Sequence, residues 1–301
     1  MSAPRTGRGT SWIGATLLLP SRLEEQVLAA FWEAGCLGVQ VHAAAQRVGH
    51  PRVALEAWFP GRISRRALEG RLRRSWRAVG LPRAARPCLA RVPDGRWVEA
   101  WQSSLKPMRI GRTILALPEG CPPPRATDRI VIRIPFGQAF GTGEHASTRL
   151  SLRLLERHLT PGDRVVDLGT GTGILAVAAL RLGAASVLAV DADHVAVRVA
   201  RDTLRRNRLT RGVRLRRCDA AVACRGGPFD LALVNIGASV IARILPALSQ
   251  ALTPGGRALL AGILIDDEPV LVAQAGLLGF AVAARLHSRP WAALLLRRPR
   301  S

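Results

Sequence analysis

One stretch narrows the possible folds more than any other: Val165-Val166-Asp167-Leu168-Gly169-Thr170-Gly171-Thr172-Gly173-Ile174-Leu175-Ala176. An apolar pair runs into an acid, glycines recur at every second position, and an apolar helix-like segment follows. The pattern predicts a strand, a tight turn and a helix start, in which glycine lets the backbone take positive φ and come close to a ligand.

Spacing decides which ligand. A dinucleotide fingerprint counted from Gly169 needs a third glycine at position 174, where the chain has Ile174. The acid two residues before the first glycine would also repel a pyrophosphate at the turn. S-adenosylmethionine has no phosphate, and its ammonium suits a carboxylate such as Asp167, so the turn with Gly169 and Gly171 reads as a cradle for that cofactor. A second strand, Ser186 to Val190, ends in Asp191, 22 residues after Gly169. An acid at that strand tip accepts from the two ribose hydroxyls. Asp219, after Val213 to Cys218, is placed to meet the adenine's exocyclic amine. The bland alternative, a glycine turn in some other α/β domain, leaves three acids on three successive strand ends unexplained.

The 301 residues suffice for two domains, and 48% apolar content supplies both cores. The net charge of +23 is built almost wholly from arginine: Lys106 is the single lysine among 44 basic residues, and tyrosine is absent. That usage has the look of a coding bias, which weakens charge as an argument for nucleic acid. The field still draws polyanions, and weak nonspecific nucleic-acid contact is expected from it. Cys36, Cys88, Cys121, Cys218 and Cys224 have neither C-x-x-C spacing nor even pairing, which argues against a disulfide framework or a metal site and for a reducing, cytoplasmic setting. The apolar run Trp12 to Leu19 is too short to span a membrane and lacks a cleavage signal. A monomer without membrane attachment is expected.

Residues 11–93 read as strand, helix, strand, strand, helix, strand, a split βαβ of ferredoxin-like α+β type. The first helix opens on the capping pattern Ser21-Arg22-Leu23-Glu24. The second, Ser64 to Val79, sets Leu68, Leu72, Trp76 and Val79 on one side against Arg65, Arg66, Arg73, Arg74 and Arg77. Such a face is ordinarily a solvated one, with a binding surface as the alternative. Residues 94–128 read as a linker holding a short helix with Trp97 and Trp101, a strand from Met108 to Leu117, and the breaker Cys121-Pro122-Pro123-Pro124.

Residues 129–301 carry the α/β pattern of a class I Rossmann-like methyltransferase domain. A strand Ile130 to Ile134 precedes the loop Phe136 to Thr148, whose backbone amides, Thr142 and Thr148 can donate to an anion at a helix N-terminus. His145 in that loop reads first as a capping or packing group and second as a base. Helices and strands then alternate through Asn235 to the final strands Phe280 to Leu286 and Trp291 to Leu296, which have no helix between them and so form an antiparallel hairpin ending an otherwise parallel sheet.

These residues resemble the ribosomal protein L11 methyltransferase family (PrmA). The similarity is carried by Ala139-Phe140-Gly141-Thr142-Gly143-Glu144-His145-Ala146-Ser147-Thr148, by Asn235-Ile236, by Asp167 to Gly173, by Pro254-Gly255-Gly256 and by Ala261-Gly262-Ile263-Leu264. It implies a small N-terminal substrate-recognition domain, a linker and a methyltransferase domain that methylates amino groups of a large-subunit ribosomal protein. Carried over, cofactor contacts fall on Thr148, Gly169, Asp191 and Asn235, with Thr142 and Gly143 in the covering loop. The chain departs from the family pattern at Glu144, Ala146 and Ser147, at Gly237 and at Thr170.

Methyl transfer from a sulfonium needs alignment more than base strength. Alignment supplies roughly 7–11 kcal/mol, whereas freeing a lysine of its proton at pH 7 costs about 4.6 kcal/mol. Asn235 is the candidate catalytic residue, orienting the amine through its side-chain carbonyl. An RNA methyltransferase is the rival class, yet Asn235-Ile236-Gly237-Ala238 lacks the aromatic ring that would stack on a planar base. A non-catalytic cofactor-binding protein is the third.

Overall fold

The computed structural model describes residues 12–20, 23–36, 38–43, 52–61, 63–78, 86–92, 106–135, 141, 143 and 145–300. Ser21 and Arg22, the turn at 49–51, Val79, Trp97 and Trp101, loop residues 136–140, Thr142 and Glu144 lie outside them. The chain divides into two compact units, Met1–Leu105 and Lys106–Ser301.

The first unit runs β1 (Trp12–Pro20), α1 (Glu24–Glu33), β2 (Gly38–Ala43), β3 (Arg52–Pro60), α2 (Arg65–Ala78) and β4 (Cys88–Val92). Its sheet has the order β2-β3-β1-β4 and is antiparallel throughout. Along β1, Ala15, Leu17 and Leu19 are buried while Thr16 and Leu18 face water, the period-two alternation of a sheet with one covered face. Leu68, Leu72 and Trp76 of α2 are buried with Val27, Leu28 and Phe31 of α1. The Phe31 ring lies 5.3 Å from Trp76 and 6.2 Å from Phe59, tying both helices to the sheet.

The second unit opens with a three-stranded sheet of β5 (Met108–Ile110), β6 (Ile114–Pro118) and β7 (Ile130–Ile134), β6 pairing parallel to β7. A single strand over 108–117 is thus corrected to a hairpin. The physical cause is a carboxylate from far along the chain: Glu156, on α3 (Ala146–His158), accepts from the Arg112 amide at 2.8 Å, from the Thr113 hydroxyl at 2.6 Å and from the Thr113 amide. A Cβ on Gly111 would lie 2.0 Å from that carboxylate. Burial raises the Glu156 pKa, but these hydrogen bonds and the Arg129 charge together outweigh it and hold the group below its ordinary value.

The remaining elements are β8 (Arg164–Leu168), α4 (Ile174–Arg181), β9 (Ser186–Asp191), α5 (His194–Arg206), β10 (Val213–Arg217), α6 (Ala220–Cys224), β11 (Phe229–Asn235), α7 (Ala238–Ala251), β12 (Leu252–Leu264), α8 (Glu268–Leu277), β13 (Ala281–Ser288) and β14 (Trp291–Arg297). They form a seven-stranded sheet of order β10-β9-β8-β11-β12-β14-β13, in which only the pairings of β14 are antiparallel. Both faces are covered, so strand residues alternate between two cores. Val165, Leu231, Leu233 and Leu259 pack on one side with α3 and α4, and Val166, Leu168, Val234 and Leu260 on the other with α7 and α8. The order reverses between β8 and β11, and such a switch point opens a crevice outside the carboxyl ends of the strands. Among the described residues, no helix is long and apolar enough to cross a membrane.

Candidate active site

The glycine turn leaves β8 at Leu168, whose neighbours are Val190 on β9 and Val234 on β11. Gly169 has φ +73°, and its amide donates to the Val190 carbonyl at 2.9 Å, as does that of Thr170 at 2.8 Å. A Cβ at Gly169 would lie 2.4 Å from Ile236 Cγ2, and one at Gly262 would lie 2.5 Å from the Ile236 carbonyl oxygen. Ile236 is therefore held between two glycines, one after β8 and one in β12, and this fixes the tip of β11 and with it Asn235. Nothing in the spacing of the chain marks Gly262 as part of the site.

Two buried side-chain oxygens in the described residues have no hydrogen-bond partner, Asp167 Oδ1 and Asn235 Oδ1. Both sit at the ends of β8 and β11, the strands that flank the switch point. Asp167 is fully buried, and its other oxygen accepts from the Thr170 hydroxyl at 2.6 Å. Desolvation pushes its pKa up to about 7, and the Asp191 charge adds to the shift against the opposing Thr170 hydrogen bond. Asn235 donates from Nδ2 to Thr148 Oγ1 at 3.4 Å, and Thr148 is itself fully buried on α3. The amide is thereby turned so that its carbonyl is the free end. A buried acceptor left unpaired costs free energy that an incoming donor recovers.

Asp191 closes β9 half-buried. Its Oδ2 accepts from the Gly171 amide at 2.9 Å and its Oδ1 from the Asp193 amide at 3.0 Å. Each carboxylate oxygen has a second lone pair, so the group is oriented without being saturated. Asp219 is exposed and caps α6, accepting from the Ala221 amide at 2.8 Å. β10 ends at Arg217, and the Cys218 amide just after it donates to the Asp191 carbonyl at 3.0 Å. Gly143 is buried with φ +90° against Met108 and Ala116. Thr142 lies outside the described residues.

The structure adds a link that the sequence does not announce. Thr172 is 1% exposed, and its hydroxyl donates to the Gly141 carbonyl at 2.6 Å, tying the loop before α3 to the glycine turn 31 residues later. His145 caps α3, accepting from the Ser147 amide at 3.3 Å, and packs edge-on against Trp291 with ring centroids 4.7 Å apart. This is the capping and packing role, and its ring is committed to both.

The sequence description of the ribosomal protein L11 methyltransferases (PrmA) matches residues 11–299. The chain belongs to this family. A ribosomal protein L11 methyltransferase of Synechococcus sp. RCC307 is 36% identical over 299 residues, covering 96% of this chain and 97% of that relative. One from Pelobacter propionicus is 41% identical over 221 residues, 71% of this chain and 70% of its own. The crystal structure of a ribosomal protein L11 methylase from Lactobacillus delbrueckii subsp. bulgaricus superposes with a TM-score of 0.61 at 29% identity, over 65% of this chain and all of that one.

The L11 methyltransferase family is one of enzymes, and S-adenosylmethionine is the methyl source. The residues present fit that group on structural grounds. An orphaned, buried carboxyl oxygen at Asp167 matches an ammonium, a half-exposed, oriented carboxylate at Asp191 matches a diol, and the turn at Gly169 leaves no room for a side chain.

Proposed function

We propose that the chain transfers methyl groups to amino groups, lysine side chains or an N-terminal amine, of ribosomal protein L11. The observation that carries this reading is the Asn235 carbonyl oxygen, buried, unpartnered and oriented by Thr148 at the tip of β11. A neutral aliphatic amine offers the N–H that this oxygen lacks. A planar base would want a stacking ring, and the residues after Asn235 are Ile236, Gly237 and Ala238.

When bound, S-adenosylmethionine supplies a methyl group already activated on a sulfonium. The protein's part is placement. Asp167 meets the ammonium, Gly169 and Gly171 let the backbone approach, Asp191 receives the ribose hydroxyls and Asp219 offers its uncapped oxygen to the adenine amine. Thr148, on α3, is a further cofactor contact, Thr142 and Gly143 belong to the covering loop, and the Thr172 bond to Gly141 ties the start of that loop to the turn, which helps exclude water. Asn235 aligns the amine, and the proton it sheds passes to solvent after transfer. Alignment worth roughly 7–11 kcal/mol exceeds the cost of presenting a neutral amine, so His145 is free to remain a cap.

The first unit is read as a ferredoxin-like substrate-recognition domain, supported by its βαββαβ order and the strand order β2-β3-β1-β4. The spacing of the cysteines, with no C-x-x-C pair, is in keeping with a cytoplasmic enzyme, which we take to act as a monomer. The test is radiolabelled cofactor incubated with ribosomal extract, followed by protease or ribonuclease. Label that survives ribonuclease and is lost to protease supports the reading; label lost to ribonuclease makes the chain an RNA methyltransferase.

A further inference from the structure

Helix α2 buries Leu68, Leu72 and Trp76 and turns its opposite face to water. That face carries Arg66, Gly70, Arg73, Arg74 and Arg77, at spacings of four, seven, eight and eleven residues, so they lie in one stripe about 16 Å long. All four arginines are exposed. The one acid on the helix, Glu69, is paired with Arg65 at 3.2 Å. Coding bias accounts for arginine in place of lysine. It does not account for where the charge sits: α7 and α8, 24 residues together, hold a single arginine, Arg243.

Gly70 is the second, independent sign. Glycine is the poorest helix former after proline, and nothing in the fold asks for it here. Its φ is not in the left-handed region, and the nearest atom to an added Cβ is the end of a mobile arginine, Arg74 Nη1, at 3.8 Å. What the missing side chain does create is a notch in the basic stripe, a groove lined by Arg65, Arg66, Glu69, Gly70 and Arg73. A glycine there costs the helix about 0.8–1 kcal/mol relative to alanine and leaves its backbone open to close approach by a ligand.

We propose that the outer face of α2 docks the phosphate backbone of RNA, one strand lying in the Gly70 notch between Arg66, Arg73 and Arg77. Guanidinium groups pair with phosphate oxygens two at a time, and Arg73 and Arg77, one turn apart, with Arg66 two turns before them, line up along the helix as phosphates do along a nucleic acid strand. No exposed aromatic side chain stands among the stripe residues, and Trp76 is buried, so the contact reads phosphates and not bases. A lipid surface would want the apolar side of the helix, which is spent on the core. The proposal adds an RNA contact to methyl transfer and stands whatever amine is methylated.

The experiment is fluorescence anisotropy of a labelled single-stranded RNA with the full chain over a salt series. Arg66→Gln, Arg73→Gln and Arg77→Gln together should weaken binding about tenfold or more and flatten the log–log salt slope by about 2. Arg198→Gln, Arg201→Gln and Arg205→Gln on α5, which remove the same charge, should have a much smaller effect. Gly70→Ala should raise the melting temperature while lowering RNA affinity about threefold, a pair of opposite signs that a purely structural glycine does not give and that remains readable if the triple variant misfolds. Equal losses from the α2 and α5 triples would overturn the proposal, as would unchanged RNA affinity in Gly70→Ala. Displacement of RNA by polyglutamate at equal charge would overturn it in favour of an acidic protein partner.

Discussion

The crevice at the ends of β8 and β11 and the outer face of α2 both concentrate recognition chemistry, and they are made in opposite ways. The crevice is built from backbone and from two buried acceptors, Asp167 Oδ1 and Asn235 Oδ1, each held in place by a threonine and each lacking its own donor. The α2 face is built from the ends of long exposed side chains. Buried, preorganised acceptors are costly when empty and selective when filled, because the right ligand recovers a desolvation already spent. Exposed charges cost little, act additively and fade with salt. One region can therefore be ruined by removing a single atom group, and the other only by removing several.

The sharpest way to break this contrast is Asn235→Ala. Single-turnover methylation of the protein substrate should fall about a hundredfold or more, the scale for losing one preorganised contact, while cofactor affinity changes by no more than about threefold. An equal loss in both would mean that Asn235 only holds the cofactor. Asp191→Ala comes next, with cofactor affinity reduced at least tenfold by calorimetry, since charged hydrogen bonds contribute about 1.5–3 kcal/mol each.

Asp167 sharpens the contrast through pH. Its folded pKa of about 7 lies above the ordinary carboxyl value, so between about pH 4 and 7 the folded protein binds the proton that the unfolded chain releases. The ligand-free protein should thus lose stability as pH rises through that window and level off above it. Binding of the cofactor's ammonium favours the carboxylate, so near pH 7 it should release about half a proton, measured by calorimetry in buffers of different ionisation enthalpy. Asp167→Asn should abolish that release. The smallest effect belongs to the other region: Arg73→Gln alone should weaken RNA binding about two- to threefold and reduce the salt slope by less than one.

How legible this was in the chain depended on distance along it. The strands of the large sheet, the helices between them, the closing hairpin, the acids Asp167 and Asp191 and the capping part of His145 follow from local periodicity and from residue types at element ends. Those patterns are set by neighbours within a turn or two, and a sequence displays them directly. The break between β5 and β6 could not be read locally, because the carboxylate that makes it, on Glu156, arrives from more than forty residues away.

The same holds for the details that make the crevice work. The motif determined that a glycine turn and an asparagine stand at strand ends. Only the folded sheet determined that β8 and β11 are neighbours, that Ile236 is wedged between Gly169 and Gly262, and that Thr172 reaches the Gly141 carbonyl. The free carbonyl of Asn235 depends on Thr148, 87 residues earlier, occupying its amide nitrogen. Residue type and spacing encode what a side chain can donate or accept. Which of those capacities is spent and which is left for a ligand depends on register and packing between segments far apart in the chain, and those are properties of the tertiary structure alone.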